Sequence, residues 1–168
     1  MIGVLAADAA PGRIGALAMV APSPRYIDDG YRGGFSAQDI DELPASLESN
    51  YLGWSMVMAP VIMGNPERPE LGEELRNSFC ATDPDMARVF ARTTFLSDSR
   101  QDLTSVKVPT LVLECGEDVI APREVGAFVH RAIPGSTLVT LDATGHCPHL
   151  SAPEATNEAI RSFLAGLR

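Results

Sequence analysis

The sequence is short of several things, and each shortage removes a class of function. It holds three cysteines in 168 residues. They are an odd number, at spacings that make neither a disulfide framework nor a paired zinc motif, which suits a reducing compartment and points to the cytoplasm. Positive charge is scarce: 13 Lys and Arg face 22 Asp and Glu, for a net charge of −9. That balance argues against nucleic acid or an anionic membrane as partner. The acidic residues are spread along the chain and read as a solvated surface. No apolar run approaches the ~20 residues of a membrane span. The apolar start, Met1 to Ala7, lacks the basic leader of a signal peptide. Aromatic residues make up 6%, with a single Trp, and there is no internal repeat. Nor does a G-x-S-x-G nucleophile elbow occur anywhere in these residues.

Hydrophobic residues are plentiful at 45%, enough for a packed core. The length suits one domain, or a piece of one carrying an insertion. Three apolar runs read as strands: Ile14–Ala21, Pro109–Cys115 and Thr137–Leu141. The apolarity of the first is continuous rather than alternating, as in a parallel strand buried on both faces, and each of the other two is a buried strand that runs straight into a polar turn. Met1–Ala10 is an Ala-rich helix stopped by Pro11-Gly12. Pro122–Ile133 is a crossover helix. Pro153–Leu167 closes the chain with Ala155, Ala159, Ile160, Phe163 and Leu167 facing inward.

Between the first two strands the texture changes. Ser36 caps a helix that Pro44 must kink or restart. Tyr51–Met63 is apolar on nearly every side, so it must be covered or line a pocket. Pro69–Cys80 is amphipathic through Leu71, Leu75 and Phe79, with Cys80 read as core. Thr82-Asp83-Pro84 caps the next helix, Asp85–Phe95, whose stripe is Met86, Val89, Phe90 and Thr93. Four helices and no strand between two strands of a sheet describe a helical lid. The expected organisation is core over 1–25, lid over 26–100 and core over 101–168.

The chemistry gathers where the last two strands run into polar turns. Glu114–Pro122 offers Asp118, and Ala143–Pro153 offers His146. In open α/β sheets, sites form at the C-terminal ends of strands. A carboxylate on one ring nitrogen fixes the tautomer of a histidine base and stabilises its imidazolium. Asp118 precedes His146 by 28 residues with one helix between, the acid-then-His order of α/β-hydrolases. Glu117 is the rival acid, but neighbouring side chains in an extended turn point apart. Gly145 lets the His146 turn bend tightly. His149 and Cys147 stand beside His146, yet H-C-x-H without a second ligand pair is no zinc spacing. Cys147 adjoins His146 too directly to face it as a nucleophile. Cys115 reads as core, and His130 as a cation suited to a helix C-terminus. No metal or cofactor is expected.

Residues 19–29 (MVAPSPRYIDD), 50–54 (NYLGW), 77–103 (NSFCATDPDMARVFARTTFLSDSRQDL), 108–122 (VPTLVLECGEDVIAP) and 141–154 (LDATGHCPHLSAPE) resemble the RsbQ-type α/β-hydrolases. These are bacterial regulators of the general stress response and relatives of the plant strigolactone and karrikin receptors. The resemblance implies an α/β fold, the C-terminal part of an α/β-hydrolase, with a four-helix lid over an apolar pocket. It places the triad acid at Asp118 and the triad base at His146. It implies a small apolar ester or lactone as substrate or ligand, and a signalling partner such as a PAS-containing phosphatase. Trp54, Met56, Phe90 and Phe95 are the expected pocket wall. The family's serine and oxyanion-hole amides match no position here, so Met1 reads as an internal methionine or the start of an incomplete product. The chain by itself is therefore expected to hydrolyse no ester. The alternatives are a non-enzymatic ligand-sensing module and a truncated remnant.

Overall fold

A computed structural model describes residues 1–10 and 12–167, with the side chains of Pro44, Ala45, Glu48 and Ser49 outside that description. The expected helix stop therefore rests on Gly12 (φ 84°) alone, because Pro11 lies outside the described residues. The elements run α1 Ile2–Ala9, β1 Leu17–Val20, α2 Ala37–Ser49, α3 Tyr51–Met63, α4 Pro69–Cys80 and α5 Pro84–Leu96. A 3-10 turn at Asp102–Ser105 follows, then β2 Thr110–Glu117, α6 Arg123–Ala132, β3 Thr137–Thr144, α7 Pro148–Ser151 and α8 Pro153–Ala165.

The three strands form one parallel sheet in the order β1-β2-β3. β2 is the middle strand, and its burial explains its composition. Val112 points to a cluster with Val4 of α1, Leu103, Val106, and Val129 and Ile133 at the end of α6. Leu111 and Leu113 point the other way, to Leu141 and to Ala159, Ile160 and Phe163 of α8. Helices thus cover both faces, so both parities of β2 are buried and mostly apolar, with Glu114 the buried charge among them. Leu111, Val112 and Leu113 are at most 1% exposed, each worth about 1.5–3 kcal/mol of transfer free energy. In α8 the inward set is narrower than expected. Ala155 is exposed, Leu167 is 40% exposed just beyond the helix, and Thr156 (3%) takes a buried place instead.

α2 to α5 fill the stretch between β1 and β2. Ser36 caps α2 through a reciprocal bond with Asp39. The helix is continuous across position 44, and the restart comes at Asn50, whose side chain accepts from the Gly53 N–H. Only one stripe of α3 is buried: Tyr51, Ser55, Ala59 and Met63, four residues apart. The all-round apolarity of α3 is therefore not matched by all-round cover. Leu52, Met56 and Val57 are 57–66% exposed. α5 corrects the expectation more sharply. Its predicted stripe is exposed rather than buried, with Met86, Val89 and Phe90 at 61–67% exposure and no residue of the helix fully buried. Cys80 is exposed rather than core.

The two ends of this helical stretch are tied together at its base. The Ser99 N–H donates to the Pro24 carbonyl. Arg100 bridges Asp98 and Asp29, Arg25 joins Asp29, and the Arg100 guanidinium lies 5.4 Å from the Tyr31 ring centre. Among the described residues, no helix is long and apolar enough to cross a membrane.

Candidate active site

β2 ends at Glu117, after a register shift between Cys115 and Glu117, and delivers Asp118 directly beyond the sheet. The Asp118 side chain is 1% exposed. Its Oδ1 accepts the backbone N–H groups of Ile120 (2.8 Å) and Ala121 (3.0 Å), which hold the carboxylate in one orientation. Oδ2 is then aimed at His146 Nδ1, 2.8 Å away. Glu117, the rival acid, points into solvent.

β3 ends at Thr144, and Gly145 turns the chain with φ 89°. Its N–H donates to the Glu117 carbonyl at 2.7 Å, and the His146 N–H to the Ile62 carbonyl at 2.8 Å. The imidazole is therefore positioned by both its backbone and its ring. An ionised carboxylate only accepts, so Nδ1 carries the proton and Nε2 is left as the basic nitrogen. A carboxylate–imidazole pair of this geometry is able to take a proton from a hydroxyl and later return it.

His146 opens onto a cavity of about 1280 Å³ between the sheet end and the four helices. This exceeds the ~300–1,000 Å³ of a typical ligand pocket, because the mouth is open where Val57 and Phe90 stand 66–67% exposed. The walls are mainly apolar. Among the described residues the lining includes no Lys or Arg, and its carboxylates are Asp39 and Glu42 of α2. Tyr26, Phe35 and Phe95 form an aromatic cluster with centroids 4.9–6.3 Å apart. Trp54 is stacked on Tyr51 and tilted against Phe79, 5.7 Å away.

Of the expected wall, Trp54, Phe90 and Phe95 line the cavity. Met56 does not: it is 60% exposed on the outer side of α3, one helical step from the buried stripe. Sequence reasoning missed Tyr26, Ile120 and Ile62 as lining residues. Tyr26 and Ile120 lie in loops, where no periodicity marks a facing side, and Ile62 lies in the last turn of α3, whose all-round apolarity singles out no face.

Cys147 also lines the cavity, beside the imidazole. Burial first, and the Asp118 charge second, push its thiol up to about 11. The same two causes, in the same order, push Cys115 up to about 12. Neither is a thiolate at neutral pH, so neither serves as a ready nucleophile. Among the described residues no three His, Cys, Asp or Glu side chains gather as metal ligands.

Acid, base, their order along the chain and the parallel sheet beneath them match a known pattern. Residues 2–159 fit the model of the alpha/beta hydrolase family. The chain belongs to the alpha/beta hydrolase family. Among similar proteins, a karrikin insensitive 2 receptor from Petunia hybrida is 35% identical over 158 residues, covering 93% of this chain and 58% of the relative. A strigolactone esterase from Arabidopsis thaliana is 34% identical over 166 residues, covering 98% of this chain and 62% of the relative. The structure of a hydrolase from Oleispira antarctica superposes with a TM-score of 0.91 at 36% identity, covering 97% of this chain and 61% of that one. An enol-lactonase from Burkholderia xenovorans, at 21% identity and a TM-score of 0.83, shares the fold. The chain thus spans about 58–62% of the length of these curated relatives.

Proposed function

We propose that this chain supplies the acid and the base of a serine hydrolase acting on a small apolar ester or lactone. Asp118 orients His146, and His146 Nε2 takes the proton of a serine hydroxyl held by an elbow outside these 168 residues. The stretch 26–100 acts as the lid, between core segments 1–25 and 101–168. The observation that carries this reading is the 2.8 Å contact between Asp118 Oδ2 and His146 Nδ1 at the edge of a cavity without cations in its described lining. Such a cavity suits an uncharged acyl compound better than an anion. The names of the relatives, an esterase and a receptor among them, agree with a small ligand.

These residues alone are catalytically incompetent on this reading. They contain no G-x-S-x-G elbow, and one lost oxyanion donor already costs ~100–1,000-fold. The test is to read the gene upstream of Met1, express the chain with any elbow encoded there, and assay an aryl acetate. The expected result is no turnover by the 168 residues, and turnover by the longer form that falls about 10⁴-fold in Asp118→Asn and about 10⁶-fold in His146→Ala. Turnover by the 168 residues that survives His146→Ala overturns the assignment.

A second reading has its own observation. The outward apolar faces of α3 and α5 (Leu52, Met56, Met86, Val89) offer a surface to a protein partner. On that reading the ligand acts through the lid as a signal, in stress regulation, on a partner such as a PAS-containing phosphatase. Ligand-dependent binding of a purified phosphatase of that type, without turnover, favours it over the enzyme.

A further inference from the structure

The C-terminal end of α3 and the His146 turn share a set of contacts that neither helix packing nor the acid–base pair requires. The last carbonyls of a helix have no partner within it and are normally left to water or caps. Here the Ile62 carbonyl accepts the His146 N–H at 2.8 Å. Asn65 Nδ2 donates to the Met63 carbonyl and, at 2.9 Å, to the carbonyl of Thr144, the last residue of β3. A side-chain amide has two N–H groups on that nitrogen, and both are used: one on the helix end, one on the strand end.

The backbones meet without side chains between them. Gly64 caps α3 at φ 62°, and a β-carbon there would lie 3.2 Å from the Gly145 α-carbon. The grip extends to Arg68, whose Nη1 donates to the Ser151 carbonyl at 2.7 Å. α3 also lines the cavity through Trp54, Met58 and Ile62. One helix therefore lines the cavity with its side chains and meets the His146 backbone with its final turn.

We infer that Asn65 is a positioning residue for His146. By tying the end of α3 to the end of β3 it fixes the backbone from which the imidazole reaches Asp118. The inference deepens the proposed acid–base role and rests on it. Asn65 touches neither a reacting atom nor the ring, so its effect passes through Thr144 and Gly145.

The experiment is NMR on the purified protein, comparing wild type, Asn65→Ala and Asn65→Ser. Two signals are followed: protection of the His146 backbone N–H, and the low-field His146 Nδ1 proton. The His130 ring, bonded to Ser136 at 2.8 Å, is the internal reference. In Asn65→Ala both His146 protons are expected to exchange about tenfold faster, the size that losing two modest hydrogen bonds allows. The His130 signals stay in place. Asn65→Ser keeps one donor and falls between, and it decides the matter if the alanine variant does not fold. His146 signals at wild-type shift and exchange rate in both folded variants overturn the inference, since Asn65 then merely caps α3. A wild type lacking the low-field Nδ1 proton sinks the acid–base reading instead, and the backbone N–H still reports on the clamp.

Discussion

The carboxylate of Glu114, in the middle of β2, lies against the bare α-carbon of Gly126 in α6: a β-carbon there would stand 2.2 Å from Oε2. The Glu114 side chain is 5% exposed. Thr140 Oγ1 donates to its Oε1 at 2.7 Å, with Arg123 Nε 3.5 Å from the same oxygen. Alanine would raise the helix propensity of α6 by about 1 kcal/mol, but the clash with a confined carboxylate is larger. Gly126→Ala is expected to lower unfolding free energy by about 1–3 kcal/mol in a urea titration. Adding Glu114→Ala should recover part of that loss, because the two positions touch. Simple additivity of the two changes would refute the contact.

Gly145→Ala should be costlier still. A β-carbon would fall 1.8 Å from the Met63 carbonyl oxygen, and φ is 89°. The clash is with backbone, so α3 and the His146 turn must separate. A loss of about 3 kcal/mol or more is expected from strain and overpacking together. A variant as stable as wild type would show that the two backbones do not meet.

The buried thiols and phenol set an alkaline limit. Cys147 is raised from 9.0 to about 11, and Cys115 from 9.0 to about 12, each by burial and then by Asp118. Burial first, and Asp118 second, raise Tyr26 from 10.0 to about 12. A folded state that holds its protons longer than the unfolded chain is favoured fully below the unfolded value. Its advantage fades as pH rises toward the folded one. Stability should therefore decline between about pH 9 and pH 11–12, followed by the urea midpoint, and Cys147→Ala should flatten part of that decline. At pH 7.5 iodoacetamide should label the exposed Cys80 while Cys115 and Cys147 react only in denaturant. Rapid native labelling of Cys147 would contradict its burial.

Arg100→Ala should loosen the base of the helical stretch. The side chain is 25% exposed and joins Asp29 and Asp98, which are 33% and 39% exposed. Partial exposure limits the loss to about 1 kcal/mol, shrinking at high salt. A cost that does not change between low and high salt would mean that packing on Tyr31, rather than charge, carries the contact.

Where sequence and structure agree, the signal was local. β2 is legible because a middle strand covered on both faces is mostly apolar, and β3 because Leu138, Val139 and Leu141 form a short apolar run before a polar turn. The start of α5 is legible because Asp83 caps Asp85 and Met86 through its own side chain. The Asp118 and His146 turns are legible because a polar residue after a buried strand stands out. Where they disagree, the missing information was a neighbour. The Met86, Val89 and Phe90 stripe has the right period for burial, yet it stays exposed, with Phe90 at the cavity mouth, since period says that residues share a face and not what meets it.

The amino-acid order by itself determined most of the strands and helices and the two polar turns that carry Asp118 and His146, because each depends on a few adjacent residues and on which of them shun water. Only the folded chain decided that Asp118 and His146 meet at 2.8 Å, that Met56 turns away from the cavity, and that the end of α3 grips the His146 turn. Those facts depend on contacts between distant segments. Such contacts are set by how whole faces pack together, and no window of sequence contains both partners.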